Sequence, residues 1–201
     1  MPHVRHYHPS DRDALYDVCL RTGADGDDAT DRYHDPRLLG SVFVGPYLEF
    51  HPDLAWVVDN DGTAAGYILC APDTRAFEAQ CEREWWPELR RRYPLGSFPA
   101  TSTDEEVVGL IHAPPTALPE TVTSFPAHLH IDLVPEVQGL HLGGALVAKL
   151  LDALTARGSI GVHLGVSTAN IRAIGFYKHL GFDELAHDDT TTTMGKRLNL
   201  T

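Results

Sequence analysis

Leu129-His130-Ile131-Asp132-Leu133-Val134-Pro135-Glu136-Val137-Gln138-Gly139-Leu140-His141-Leu142-Gly143-Gly144-Ala145-Leu146 is the stretch that decides the fold. Leu129, Ile131 and Leu133 alternate with His128, His130 and Asp132, the period of a half-buried strand, and Pro135 stops it. Leu142, Ala145, Leu146, Lys149, Leu150, Ala153 and Leu154 then recur at helical spacing, so the apolar stripe begins where the glycines end. A strand entering a small-residue turn that opens a helix presents backbone N–H groups with no internal partner, at the positive end of the helix dipole. A pyrophosphate is the ligand such an opening suits. Taken alone, the same loop is also consistent with a plain strand-to-helix connection.

A second segment follows the same plan. Ile160, Val162, Leu164 and Val166 read as a strand, Ser167-Thr168-Ala169-Asn170 as the turn, and Ala173, Ile174, Phe176, Tyr177 and Leu180 as a helix ending at Gly181-Phe182. Asn170 suits a helix N-cap, and Tyr177 suits a core ring whose hydroxyl seeks a partner.

The two segments in this order resemble the coenzyme-binding blocks of the GNAT acetyltransferase superfamily. Gln138 and Gly143 match the ends of its pyrophosphate loop, and His141 stands where that family usually has its first glycine. The resemblance implies an α/β (α+β) GNAT fold: a central, mixed, mostly antiparallel twisted sheet flanked by helices and splayed at the coenzyme strand. It implies acetyl-CoA as co-substrate, held by Gln138, Gly139, Leu140, His141, Leu142, Gly143 and Gly144. Backbone N–H groups near Leu133 and Val134 would meet the thioester carbonyl. Asn170, Ala173, Phe176 and Tyr177 would flank the pantetheine arm, with Tyr177 as proton donor to the departing thiolate.

A closer resemblance covers nearly the whole chain. Trp56 to Tyr67, Glu84-Trp85-Trp86-Pro87, Leu118-Pro119-Glu120-Thr121 with Phe125-Pro126, and Phe176-Tyr177 with Gly181 look like the C-terminal pseudo-acetyltransferase domain of animal O-GlcNAcase. This implies a bacterial stand-alone relative in which the coenzyme loop keeps most of its pattern, and no glycoside hydrolysis. The whole chain, 1–201, is expected to be a single domain, with 94–126 a connection and 127–201 the coenzyme half.

An ammonium acceptor must lose a proton before it attacks, so a base is needed beside it. His128, His130 and Asp132 project from one face of the strand. Asp132 is the favoured base and His130 the second, acting directly or through a water. Structural roles for all three remain open, as does a metal site on His128-x-His130-x-Asp132. No other ligand cluster supports a metal, and none is expected.

Composition narrows the partners. The formal net charge is −12, from 16 basic and 28 acidic residues, which disfavours nucleic acid and is compatible with an amine acceptor. No stretch approaches the length of a membrane span, and Met1 to Tyr7 is not a signal peptide. Three scattered cysteines, Cys19, Cys70 and Cys81, suit reduced thiols, so a cytoplasmic protein is expected. The expected partner is a small-molecule acceptor, probed by a monomer or homodimer. A noncatalytic acetyl-CoA-binding or interaction module is the alternative function.

Elsewhere, His3 to Tyr7 reads as a strand, and Ser10 to Asp13 as a capping box opening a helix. The acidic run Gly23 to Asp31 reads as a solvated, mobile loop, without the spacing of a calcium-binding loop. Pro36 to Phe50 reads as one or two helices interrupted near Gly45-Pro46. Strands around Trp56 to Val58 and Gly66 to Leu69 flank Asp59-Asn60-Asp61-Gly62, a hairpin signal. One helix is expected from Arg75 to Tyr93, carrying Arg90-Arg91-Arg92 on a solvated face. Pro94 to Pro126 holds six prolines and one expected helical patch, Asp104 to Ile111.

Overall fold

In the computed structural model, which describes residues 1–198, seven strands form one sheet in the order β1-β2-β3-β4-β5-β7-β6. They are β1 (His3–His6), β2 (Trp56–Asn60), β3 (Thr63–Ala71), β4 (Ala127–Leu133), β5 (Gly161–Ser167), β6 (Asp183–His187) and β7 (Thr191–Arg197). Every neighbouring pair is antiparallel except β4 and β5. That parallel pair is held only at Ala127↔Val162 and His128↔His163, so beyond His128 the two strands part. β4 meanwhile stays in register with β3 as far as Leu133↔Gly66, which leaves its other edge open along a wedge-shaped gap.

Helices cover both faces. α1 (Arg12–Arg21), α2 (Leu38–Phe43) and α3 (Gly45–Phe50) lie over the face bearing Tyr67 and Asp132, for Tyr47 of α3 reaches His128 on that same side of β4. α8 (Leu142–Ala156) lies over the other, where Gly143 approaches Leu133 and Phe176. Leu146, Leu150 and Leu154 of α8 are fully buried. At about 1.5 to 3 kcal/mol for each such side chain, this stripe anchors the helix whose first turn faces the gap.

Local chemistry explains the departures from expectation. The expected helix 75–93 is two, α4 (Thr74–Glu84) and α5 (Trp86–Arg92), broken at Trp85 because Pro87 lacks an N–H and its ring disfavours a continuous helix before it. The capping box is one step earlier than Ser10-x-x-Asp13. The His8 ring accepts from the Ser10 N–H, and the Asp11 carboxylate accepts from the His8 N–H at 2.8 Å. Residues 94–126 contain a second helix, α7 (Pro119–Ser124), besides α6 (Thr103–His112). Asp104 of α6 is fully buried and accepts from the His34 and Asp35 N–H groups, which fastens this stretch to the molecule.

The acidic run is likewise more than a solvated loop. Ala24 and Ala29 are buried, Ala24 pairs with Asp27, and the Asp25 carbonyl accepts from the Asn170 side chain. The interruption near Gly45-Pro46 does separate two short helices, and the hairpin at Asp59 to Gly62 is as expected. Arg90 and Arg91 are occupied by Glu82 and Glu88. β4 is half-buried as expected, and its His128, His130 and Asp132 face is covered by α1 and α3, with the three side chains partly shielded from water.

Candidate functional site

α9 (Ile171–His179) completes the walls of the gap. Along the loop, Gly139 and His141 both adopt left-handed backbone, with φ of 72° and 59°. This turn brings α8 in with its first peptide planes aimed outward, and it shows why a glycine serves best at position 141. No side chain caps the helix. Among the described residues, six consecutive backbone N–H groups, from Gly139 to Gly144, have no hydrogen-bond partner, and Ala145, donating to the His141 carbonyl, is the first that does. Gly143 matters for space: a Cβ there would lie 3.2 Å from the Phe176 ring, whereas a Cβ on Gly144 would meet nothing within 4 Å.

The loop lines a cleft of about 630 Å³ that also receives Asp132, Leu133, Gln138, His141, Leu142, Asn170, Ala173, Phe176 and Tyr177. That volume is within the usual range for ligand sites. Leu140 is half exposed and is not among the residues that line the cleft. Val134 is a correction: it is buried, and its N–H donates to the Ala65 carbonyl at 3.1 Å. Because antiparallel bonding alternates, the N–H groups of Leu133 and Ile131 are the ones turned toward the gap.

Gln138 lines the cleft with its side chain engaged on both ends. Its Nε2 donates to the Leu133 carbonyl at 2.8 Å, and its Oε1 accepts from Arg172 at 2.9 Å. Asn170 is an N-cap accepting from the Ala173 N–H at 3.0 Å, while its Nδ2 donates to the Asp25 carbonyl at 2.7 Å.

A smaller recess of about 190 Å³ opens from the same gap on the α1 side. It shares Thr22, Gly26, Ile131, Asp132, Asn170, Ala173 and Tyr177 with the larger cleft, and adds His130, Asp25 and Ser167. Asp132 therefore stands at the junction. Its Oδ2 accepts from the Tyr67 hydroxyl at 2.5 Å, across a directly opposed strand pair. Burial raises its pKa to about 7, against the lowering effect of the Tyr67 bond. Tyr177 is 7% exposed, its hydroxyl has no partner among the described residues, and burial followed by the nearby Asp132 charge raises its pKa.

The two histidines separate. His128 Nδ1 lies 2.8 Å from Thr74 Oγ1, whose single proton goes to the Pro126 carbonyl at 2.7 Å. His128 must then donate from Nδ1 and accept from the Tyr47 hydroxyl at Nε2, 2.6 Å away. Both nitrogens are committed, and burial drives its pKa well down, so it is a neutral structural imidazole. His130 has no hydrogen-bond partner among the described residues; it packs edge-on against Tyr47 and lines the recess. Burial, reinforced by His163, lowers its pKa to about 4. Among the described residues no group of three or more His, Cys, Asp or Glu is placed to hold a metal.

Further residues join the site, among them Thr22, Asp25, Gly26, Tyr67, Ser167 and Arg172. Arg172, two residues beyond the Asn170 cap and facing a phosphate-type loop, carried a signal in its charge. Tyr67 carried none, because only the strand register places it opposite Asp132.

Residues 73–182 match the model of the acetyltransferase (GNAT) family. The chain is 29% identical over 186 residues to protein O-GlcNAcase of Rattus norvegicus and of Mus musculus, which is 91% of this chain and 20% of those proteins. It thus spans about a fifth of the curated relatives it matches. The crystal structure of SsHAT superposes with a TM-score of 0.92 at 42% identity, over 98% of each chain. An agmatine N-acetyltransferase superposes with a TM-score of 0.62 at 18% identity, covering 98% of this chain and 99% of its own, a likeness of fold. With more than half of its residues inside that family match, the chain belongs to the acetyltransferase (GNAT) family.

Proposed function

We propose that this chain transfers an acetyl group from acetyl-CoA to the amine of a small molecule by direct attack. The observation that carries the reading is the junction: an N–H-rich cleft and a carboxylate-bearing recess open onto one gap, with Asp132 and Tyr177 lining both. The loop fits the coenzyme's pyrophosphate, because unpartnered N–H groups at the start of a 15-residue helix favour an anion. Bound there, the coenzyme supplies an activated acetyl thioester. Positioning two reactants in one gap contributes several powers of ten to rate.

Asp132 takes the ammonium proton, since a base acts best when its pKa lies near the working pH. His130, neutral above about pH 4, orients the amine or a water. The Leu133 and Ile131 N–H groups polarise the acetyl carbonyl, and the Tyr177 hydroxyl gives a proton to the leaving sulfur. We place this chemistry in one unit spanning 1–201, with 127–201 as its coenzyme half.

Titration calorimetry with acetyl-CoA, followed by thiol release in the presence of an amine panel, tests the reading. Micromolar binding with amine-dependent thiol release is expected. Binding without release from any amine or hydroxyl would make the chain a noncatalytic coenzyme-binding module, and absence of binding would remove the coenzyme from the loop.

A further inference from the structure

The smaller recess has a chemistry of its own. None of the residues lining it is Lys or Arg; its polar side chains are two carboxylates, Asp132 and Asp25, a neutral imidazole, the Asn170 amide, the Tyr177 phenol and the short hydroxyls of Thr22 and Ser167. The Tyr177 hydroxyl, on a ring 7% exposed and without a partner, faces the same space. Asp25 lines the outer side, and among the described residues its carboxylate has neither an ion pair nor a hydrogen bond. Its backbone does not drift, for Asn170 holds the Asp25 carbonyl at 2.7 Å and so ties it to α9.

A recess lined by two aspartates and by no Lys or Arg disfavours acceptors that carry a carboxylate or phosphate, since a like charge there would stay uncompensated. The recess, of about 190 Å³, has room for a short aliphatic chain.

We propose that this recess is the acceptor subsite and takes a short aliphatic diamine, one nitrogen at Asp132 and the other, as ammonium, at Asp25. This rests on the acetyl-transfer reading and names its substrate class. In the step, the inner ammonium loses a proton to Asp132, the freed nitrogen forms the N–C bond, and the C–S bond breaks. The electron pair leaves on sulfur, which takes a proton from Tyr177, and the nitrogen's second proton passes through water to the Tyr177 oxygen, while Asp132 returns its proton to solvent. The outer ammonium keeps its charge throughout.

The test compares 1,4-diaminobutane, butylamine and 4-aminobutanoate, three chains of equal length, by thiol release at saturating acetyl-CoA. The diamine is expected to exceed butylamine at least tenfold in kcat/KM, with 4-aminobutanoate below both. Asp25→Asn, which tolerates the left-handed backbone at this position (φ 57°), should erase the preference through KM with kcat retained. Asp31→Asn, acidic but outside the recess, should preserve it. Butylamine or 4-aminobutanoate matching the diamine, or a preference that survives Asp25→Asn, would overturn the proposal. Calorimetric titration of 1,4-diaminobutane into protein saturated with CoA separates the two readings. Binding that Asp25→Asn abolishes, without turnover of any amine, would uphold the subsite and sink acetyl transfer. Turnover with no diamine preference would do the reverse.

Discussion

The larger cleft and the smaller recess share a gap but are made of different material. The cleft's polarity comes from backbone: six free N–H groups supplied by consecutive residues of one loop. The recess is polar through side chains drawn from α1, the loop after it, β4, β5 and α9, set against one another by sheet register and helix packing. The N–H groups of the loop can be removed only by changing its shape, whereas the side-chain site can be emptied one functional group at a time. The first change should act on coenzyme affinity, and the second on turnover.

Asp132→Asn separates the two most sharply. Loss of the base should lower kcat by about 10²- to 10³-fold while leaving the acetyl-CoA Kd within about twofold. The wild-type rate should rise with pH through about 7, as Asp132 ionises, and the variant should lose that limb. Stability moves the other way. The folded pKa of Asp132 is raised, so its stabilising contribution is present at low pH and is lost as pH rises through about 7. Above pH 7 the neutral amide relieves a buried charge, and thermal melts at pH 8 should show the variant more stable, by on the order of 2 kcal/mol. Equal losses in coenzyme affinity and turnover would erase the distinction between cleft and recess.

Gly143→Leu is the converse. A Cβ at 3.2 Å from Phe176 is already tight, and the rest of a leucine side chain needs room in the cleft that Gly143 and Phe176 both line, so acetyl-CoA affinity should fall about tenfold or more. Gly144→Ala, whose Cβ meets nothing within 4 Å, should remain within about twofold. Calorimetry on both variants decides it, and a Gly144→Ala loss as large as that of Gly143→Leu would mean that helix chemistry, not the Phe176 contact, sets the site.

The same contrast explains what could be read from the sequence. The loop from Gln138 to Gly144 and the helix behind it are local, so alternation, Pro135 and the glycines were enough to locate them, and the mixed, mostly antiparallel sheet followed from the family resemblance. Asp132 and Tyr177 were legible as types at motif positions. Tyr67, Thr22 and Asp25 were not, because each reaches the recess through a pairing or crossing far away in sequence. The burial of His128 and His130 was hidden for the same reason: alternation predicts which face a side chain takes, and only the packing of α1 and α3 tells whether that face is wet. Val134 was misassigned by a single residue of strand parity, which exchanges a free N–H for one already bonded to β3.

Tyr67→Phe probes the register-made part of the recess. The Tyr67 hydroxyl lowers the Asp132 pKa, so its removal should move the acid limb of the pH–rate profile upward. At pH 7 the rate should drop roughly three- to tenfold, with much of it recovered at higher pH. A purely structural role would instead depress the rate evenly across pH.

The smallest effect belongs to His141, where the backbone cleft depends on a side chain. Its left-handed φ of 59° strains a residue with a Cβ by about 1 to 2 kcal/mol, and glycine relieves this while adding unfolded-state entropy. His141→Gly should therefore change stability by less than about 1 kcal/mol. If the N–H groups alone hold the coenzyme, acetyl-CoA affinity should stay within about threefold, because the loop keeps its course. A larger loss would show that the ring lining the cleft itself meets a phosphate. The comparison would then change: the histidine would stand in the loop as a ligand, and the departure from glycine would be a substitution of one anion-binding group for backbone freedom.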